Sequence, residues 1–214
     1  MEIMQIPVGR MGNLAYIVFN PQDRSAAIID ASWEPETLIE ALNAKGLALR
    51  AVLLTHGHFD HTNAVPAILK AFPNVSIYMR QEDKMLPEEP FAFKNPVDMN
   101  PIAEFPEIEM LQTPGHTGGS VCWILPGKNG NDGIIFTGDT LFAGACGRID
   151  FPESVPDRLY SSFKLFEKLP GGMTVYPGHS YNAAKSTIEQ ERRSNPYMRA
   201  AAELPEDGFL GMLL

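Results

Sequence analysis

Residues 51–61 read AVLLTHGHFDH, an apolar run followed directly by three histidines and an aspartate. The apolar run has the composition of a buried strand, and α/β proteins bind their ligands beyond the carboxyl ends of such strands. In an extended turn His56 and His58 project to the same side, whereas Asp60 and His61 lie where the chain bends into the next helix. Two imidazoles can therefore hold one metal ion while Asp60 and His61 reach a second.

The other two histidines occupy the same kind of position. His116 lies in TPGHTGG after the apolar IEMLQ, and His179 lies in YPGHSY after MTVY. Asp139 follows the apolar IIFTG, where a carboxylate has no packing role. A solvated histidine-rich turn would account for residues 55–61 alone, but not for five histidines at strand ends. The pattern predicts a metal site built from several strand exits.

Short apolar, β-branched runs alternate with helical patterns, which predicts an α/β fold. The predicted strands cover residues 15–19, 26–29, 51–54, 75–78, 108–111, 120–125, 134–137 and 174–176. The predicted helices cover residues 36–46, 64–71, 158–169 and 183–194. A turn is predicted at 127–133, and the Pro- and Phe-rich segment 87–106 is predicted to be a long loop. This loop either forms a wall of the substrate cleft or is a surface excursion.

The composition limits the classes of function. A chain of 214 residues with 44% apolar content fits a single domain spanning residues 1–214. The chain has 17 Lys and Arg and 26 Asp and Glu, which gives a formal net charge of -9. A nucleic acid partner is therefore not expected. No stretch approaches the roughly 18 apolar residues of a membrane span, and the N-terminus lacks the layout of a secretory signal. We therefore expect a cytoplasmic protein without a membrane partner.

The motifs THGHFDH, PGHTGG, GDTLF and PGHSY, in this order, resemble the metallo-β-lactamase superfamily from about Gly12 to Pro196. The resemblance implies a four-layer αβ/βα sandwich, in which two mixed sheets lie face to face with helices on the outer faces. It also implies a metal centre along one edge. The first metal would be held by His56, His58 and His116, the second by Asp60, His61 and His179, with Asp139 bridging both.

The implied cofactors are two divalent ions. Zinc is the expected metal, and iron or manganese are alternatives, because imidazole and carboxylate suit all three. Two ions, two carboxylates and a bridging hydroxide leave a net charge of about +1, which can stabilise an oxyanion. Asp60 and Asp139 are therefore predicted to be catalytic as well as metal-binding. In β-lactamases of the dizinc cysteine type the Asp139 position carries cysteine, so antibiotic hydrolysis is not expected.

The segment LFAGACGRIDFP at 141–152 narrows the expectation. It resembles the glyoxalase II group, which hydrolyses thioesters such as S-lactoylglutathione, and the related persulfide dioxygenases. We expect a glyoxalase II-like thioesterase of the hydroxyacylglutathione hydrolase type. The alternatives are a dioxygenase in which His56, His116 and Asp139 hold one Fe(II), and, more distantly, a lactonase. Full-length glyoxalase II has a larger helical C-terminal region than the 35 residues that follow His179 here.

Three further features carry open alternatives. Arg148 either binds a substrate carboxylate or pairs with Asp150 or Asp139. Cys146 is expected to be a small packed residue rather than a nucleophile. The apolar end FLGMLL at 209–214 either seals the core of its own subunit or forms a homodimer contact.

Overall fold

The computed structural model describes residues 1–96, 101–127 and 132–213. The chain divides into two compact units, Met1–Pro96 and Val97–Leu214, which we call unit 1 and unit 2. The division falls inside the Pro- and Phe-rich loop. The expectation of a single domain spanning 1–214 stays a prediction.

Unit 1 contains a five-stranded mixed sheet in the order β1-β2-β3-β4-β5. Its strands are β1 (Glu2–Val8), β2 (Asn13–Phe19), β3 (Ser25–Ile29), β4 (Ala48–Leu53) and β5 (Ser76–Tyr78). Its helices are α1 (Pro35–Ala44), α2 (Phe59–Thr62) and α3 (Val65–Ala71), with a short 3₁₀ helix at Gln81–Asp83. The first three strands pair antiparallel, whereas β3, β4 and β5 run parallel. The carboxyl ends of β3 and β4 therefore lie at the same edge.

Unit 2 contains a second five-stranded mixed sheet in the order β10-β9-β8-β7-β6. Its strands are β6 (Glu109–Gln112), β7 (Val121–Pro126), β8 (Gly133–Gly138), β9 (Thr174–Pro177) and β10 (Ser186–Thr187). Its helices are α4 (Pro156–Phe166), α5 (Ile188–Ser194), α6 (Pro196–Glu203) and α7 (Glu206–Leu210). β6 and β8 both pair antiparallel with β7, and β8 pairs parallel with β9. Consequently β6, β8 and β9 all end at the same edge.

Each unit has its own apolar core. In unit 1 the fully buried Leu38 and Leu42 of α1, a helix that the sequence predicts, join the buried side chains of the sheet. In unit 2 the rings of Phe163 and Phe166 from α4 lie 5.8 Å apart at a near right angle. Phe209 of α7 is fully buried, and its ring centre lies 5.6 Å from that of Phe163. In the described residues, the apolar C-terminal end therefore contributes to the core of its own unit.

All eight predicted strands are present, and two mixed sheets with helices confirm the predicted fold class. The sequence did not predict β1, β10, α2, α6, α7 or the 3₁₀ helix. β1 is an edge strand containing Pro7, a residue that argues against a strand in a sequence pattern. None of the helices in the described ranges has the length and apolarity that a membrane crossing requires.

The helix predicted at 183–194 begins only at Ile188, so its first part is wrong. Ser186 and Thr187 instead pair with β9 as the short strand β10. Thr187 then caps α5, because its hydroxyl oxygen accepts a hydrogen bond from Gln190 N at 3.2 Å.

The two predicted loops are partly described. Residues 128–131 of the predicted turn and 97–100 of the long loop lie outside the described residues. In its described parts the long loop forms single bridges, Tyr78 with Lys94 and Ile102 with Phe105. Phe91 and Phe93 are partly buried against the core of unit 1. These two aromatic side chains thus have a packing role.

Candidate metal centre

The turn after β4 brings together His56, His58, Asp60 and His61, which we call the turn cluster. The ring centre of His56 lies 4.8 Å from that of His58 and 4.2 Å from that of His61. His61 Nε2 lies 3.6 Å from Asp60 Oδ2. His56, Asp60 and His61 are buried, and His58 is half-buried. The four residues that the sequence predicted as ligands in this stretch therefore form one compact group.

Asp30 orients two of these histidines from the end of the neighbouring strand β3. Its carboxylate accepts hydrogen bonds from Thr55 N at 2.7 Å, Thr55 Oγ1 at 2.8 Å and His61 Nδ1 at 2.9 Å. Because the carboxylate can only accept, the proton of His61 lies on Nδ1 and its Nε2 keeps a lone pair. The Thr55 hydroxyl, whose proton points to Asp30, accepts from His56 Nδ1 at 3.1 Å. Both imidazoles are thus held in the tautomer that offers Nε2 to a metal.

Two further contacts hold the backbone of the turn. Gly57 N donates to Asp83 Oδ2 at 2.9 Å, and Asp83 is almost fully buried. A Cβ atom at Gly57 would lie 2.8 Å from the Asp83 carbonyl oxygen, so this position has no space for a side chain. Asn13 Nδ2 donates to Asp60 Oδ2 at 2.9 Å and to Asp60 O at 3.2 Å. The turn is therefore anchored from three different elements of unit 1.

Unit 2 brings together His116, Asp139 and His179, which we call the strand-end cluster. They follow β6, β8 and β9, which all end at the same edge of the sheet. Asp139 Oδ2 lies 3.6 Å from His116 Nε2 and 3.3 Å from His179 Nε2. Both histidines are buried, and the Asp139 side chain is 10% exposed. One carboxylate oxygen thus faces two imidazole nitrogens.

These separations suit ligands of one metal ion. Two ligands bound at about 2.1 Å in a tetrahedral arrangement lie about 3.4 Å apart. The distances from Asp139 Oδ2 to the two histidines, 3.6 and 3.3 Å, and that from Asp60 Oδ2 to His61, 3.6 Å, are close to this value. A separation of 3.6 Å is too long for a good hydrogen bond. The donor sets of both clusters therefore fit divalent metal ions.

The loop after Asp139 orients His116. His116 Nδ1 donates to the Arg148 carbonyl oxygen at 2.7 Å, which leaves Nε2 as the metal-facing nitrogen. Gly147 N donates to Asp139 O at 2.9 Å. A Cβ atom at Gly147 would lie 2.2 Å from that oxygen and 2.9 Å from His116 Nδ1. Only glycine fits between the two predicted ligands.

Arg148 is paired in the structure. Its Nε and Nη2 atoms donate to the two carboxylate oxygens of Asp150 at 2.8 and 2.7 Å, and its guanidinium lies over the Phe151 ring at 4.7 Å. Hydrogen bonding to the guanidinium holds the pKa of the Asp150 carboxyl below its usual range and raises the pKa of Arg148. Pairing with Asp150 is one of the alternatives that the sequence left open for Arg148. Both side chains remain exposed.

Cys146 lies beside this loop and packs against the apolar core of unit 2. Burial raises the pKa of its thiol to about 12. The thiol is therefore protonated at neutral pH and is a poor nucleophile. This agrees with the expectation of a small packed residue.

Sequence reasoning missed Asp30, Asn13 and Asp83. Asp30 follows the apolar AAII, and the strand-exit rule that singled out Asp139 could have found it. Asn13 and Asp83 gave no such signal, because their contacts with the turn span 47 and 26 residues of sequence. Only the folded chain brings them to the turn.

The chain belongs to the metallo-β-lactamase superfamily, whose family model matches residues 8–200. It is 36% identical over 183 residues to a hydroxyacylglutathione hydrolase of Alkalilimnicola ehrlichii, covering 86% of this chain and 67% of the relative. It is 31% identical to the probable polyketide biosynthesis zinc-dependent hydrolase PksB of Bacillus subtilis, covering 79% of this chain and 73% of the relative. The predicted superfamily is confirmed.

A solved structure of TTHA1623 in a di-iron-bound form is also similar, with a TM-score of 0.78 and 29% identity. The alignment covers 91% of this chain and 99% of that one. Among the curated hydroxyacylglutathione hydrolases, the matched region spans 67% of the first relative and 64% and 62% of two others. The chain thus spans about two thirds or less of the length of these relatives.

Proposed function

We propose that this protein is a metal-dependent hydrolase, specifically a glyoxalase II-like thioesterase of the hydroxyacylglutathione hydrolase type. The proposal depends above all on one observation, the convergence of His116 and His179 on a single oxygen of Asp139. The turn cluster supplies a matching set of imidazole and carboxylate donors. Hydrolases of this name are also among the similar curated proteins.

We propose that the two clusters together form one dinuclear centre in a single domain. In the proposed ligand set, His56, His58 and His116 hold the first metal, Asp60, His61 and His179 hold the second, and Asp139 bridges both. The bonds that Asp30 and the Arg148 carbonyl make to histidine Nδ1 atoms support this set, because metal-binding histidines are usually oriented in this way. Zinc is the proposed metal, supported by the likeness to a zinc-dependent hydrolase, with iron or manganese as alternatives.

When bound, two divalent ions would supply a water nucleophile at neutral pH and positive charge for a developing oxyanion. The protein's own contribution is to keep the donors in place. Asp60 and Asp139 reduce the charge of the centre without cancelling it, since the histidines bind as neutral imidazoles. Asp30 and the Arg148 carbonyl hold the Nδ1 protons, so the Nε2 lone pairs of His61 and His116 need no reorganisation.

The proposed substrate is a small-molecule thioester, with a glutathione-linked acyl group as the first choice. Arg148 is the proposed substrate-binding side chain. Its side chain is 69% exposed and that of Asp150 is 61% exposed, so a substrate carboxylate can displace Asp150. The absence of nucleic acid and membrane partners and a cytoplasmic location remain expectations from composition and sequence, and the homodimer contact remains one of the alternatives for the apolar C-terminal end.

Replacing Asp139 by alanine tests the proposal. Because this side chain faces both histidines of its cluster, Asp139→Ala should abolish hydrolysis of S-lactoylglutathione and lower metal content together. Metal content is measured by elemental analysis of protein purified without chelators or a histidine tag, and the wild type should hold about two ions per chain. The exposed Asp157→Ala on α4 is the matched control and should change neither quantity.

Unchanged turnover in Asp139→Ala would refute the assignment. A wild type with one iron, no uptake of a second metal and oxygen consumption with a persulfide would replace the thioesterase by the dioxygenase.

A further inference from the structure

Asn13 is a fully buried side chain at the start of β2 that contacts Asp60 twice. Its Nδ2 donates to the carboxylate oxygen Oδ2 at 2.9 Å and to the backbone oxygen at 3.2 Å. One amide group thus holds both the side chain and the main chain of a residue in the turn cluster. The oxygen that accepts from Asn13, Oδ2, is also the one that lies 3.6 Å from His61 Nε2.

The orientation of the Asn13 amide is determined by Trp33. The indole Nε1 donates to Asn13 Oδ1 at 2.8 Å. An indole N–H can only donate, so the oxygen of the amide must face Trp33 and the NH₂ group must face Asp60. The two ends of an asparagine amide are often hard to distinguish, but here the chemistry of the neighbours decides.

Trp33 itself is held in an uncommon conformation. Its φ is 48°, in the left-handed region that a bulky side chain seldom adopts. Its backbone N donates to Asn63 Oδ1 at 2.6 Å, and its ring meets the Phe59 ring edge-on at 5.8 Å. A Cβ atom at Gly9 would lie 2.3 Å from the indole, so the ring occupies space that only glycine leaves. Such strain persists where surrounding contacts over-determine it, and it clusters at functional sites.

We propose that Asn13 and Trp33 form a brace whose role is to position Asp60 as a metal ligand. This inference rests on the proposed function, which assigns Asp60 to the second metal. The brace fixes one carboxylate oxygen and so restricts the rotation of the side chain before a metal arrives. Asn13 and Trp33 are positioning residues, because they act through Asp60 and not on the substrate.

Two variants test the brace, one at its contact with Asp60 and one at the contact between Trp33 and Asn13. Asn13→Ala removes both hydrogen bonds to Asp60, and Trp33→Phe keeps an aromatic side chain but removes the indole N–H that orients the amide. Zinc binding is measured by competition with a chelator and by elemental analysis, at a temperature well below the measured unfolding transition. Asn13→Ala should weaken binding of one of the two zinc ions by about 10- to 100-fold, and Trp33→Phe by a smaller factor.

The Co²⁺ absorption spectrum gives a readout that lowered stability alone would not move. It should change in Asn13→Ala, because the Asp60 carboxylate reaches the metal in a different orientation. Asn20→Ala is the matched control in unit 1. It removes an asparagine side chain whose Oδ1 accepts from Gln22 N at 2.9 Å, and it should keep wild-type affinity and spectrum.

Wild-type zinc affinities and Co²⁺ spectra in both variants would overturn the inference. If Asn13→Ala shows no cooperative unfolding, Trp33→Phe decides, since it leaves the Asn13 side chain and an aromatic ring at position 33 in place. A wild type that binds two zinc ions but does not hydrolyse thioesters would refute the proposed reaction and leave the brace standing. Equal affinities in an active wild type and its variants would refute the brace and leave the reaction standing.

Discussion

The turn cluster and the strand-end cluster bring their predicted ligands together in opposite ways. The turn cluster takes four predicted ligands from six consecutive residues, so their proximity is local, but their orientation depends on Asp30, Asn13 and Asp83. The strand-end cluster takes three predicted ligands from positions 116, 139 and 179, and the sheet topology alone brings them together. A short motif thus locates predicted ligands in the sequence, whereas distant residues decide how those side chains are oriented.

The largest expected effect comes from placing a methyl group inside each cluster. Gly147→Ala brings a Cβ to within 2.2 Å of the Asp139 carbonyl oxygen, and Gly57→Ala brings one to within 2.8 Å of the Asp83 carbonyl oxygen. Both backbones must shift, and we expect a loss of unfolding free energy of about 1–3 kcal/mol, larger for Gly147 because its clash is closer. Chemical denaturation and metal content of each variant measure the effect.

Gly171→Ala is the matched control, since the nearest atom to its Cβ would be 3.4 Å away and its stability should hardly change. If Gly147→Ala were as stable and as rich in metal as the control, the close packing of the loop on His116 would be irrelevant to the site.

A smaller effect is expected from Asp30→Asn. This substitution keeps the size of the side chain but replaces one carboxylate oxygen, a hydrogen-bond acceptor, by an NH₂ donor. An amide NH₂ facing His61 Nδ1 would favour the tautomer with its proton on Nε2, and Nε2 would then no longer be free to bind a metal. Zinc affinity should fall by about 10- to 100-fold, as measured by chelator competition. Asp23→Asn, which alters an exposed turn next to Ser25, is the control. Wild-type affinity in Asp30→Asn would show that the turn cluster needs no such orientation.

The sequence predicted all eight strands that have apolar, β-branched runs, because burial on a sheet demands that composition. It failed where a residue has two roles. Asn195 and Pro196 directly follow the helix predicted at 183–194, and they also begin α6, with Asn195 Oδ1 accepting from Tyr197 N at 2.9 Å. Asn capping followed by Pro at the first helical position is a start signal as well as a stop.

In the candidate site, too, features of the local sequence could be predicted and contacts between distant residues could not. The seven ligands are predicted from a local signal, because the turn cluster and each residue of the strand-end cluster follow an apolar run. The brace could not be predicted from the sequence. Asn13 looks like an ordinary strand residue, and Trp33 looks like an ordinary aromatic residue. Their roles arise from hydrogen bonds across 47 and 20 residues, which composition and periodicity do not encode.

The smallest expected effect concerns Arg148, which lies on the loop after Asp139 and has an exposed side chain. If it binds the substrate carboxylate, Arg148→Gln should raise KM by about 10-fold, the loss of a charge-assisted hydrogen bond, with kcat nearly unchanged. Thermal stability should not change, because exposed ion pairs contribute little. Asp150→Asn separates the two roles of the pair. Freeing the guanidinium should keep or lower KM if Arg148 binds substrate, whereas equal losses of kcat in both variants would show that the pair only braces the loop holding His116.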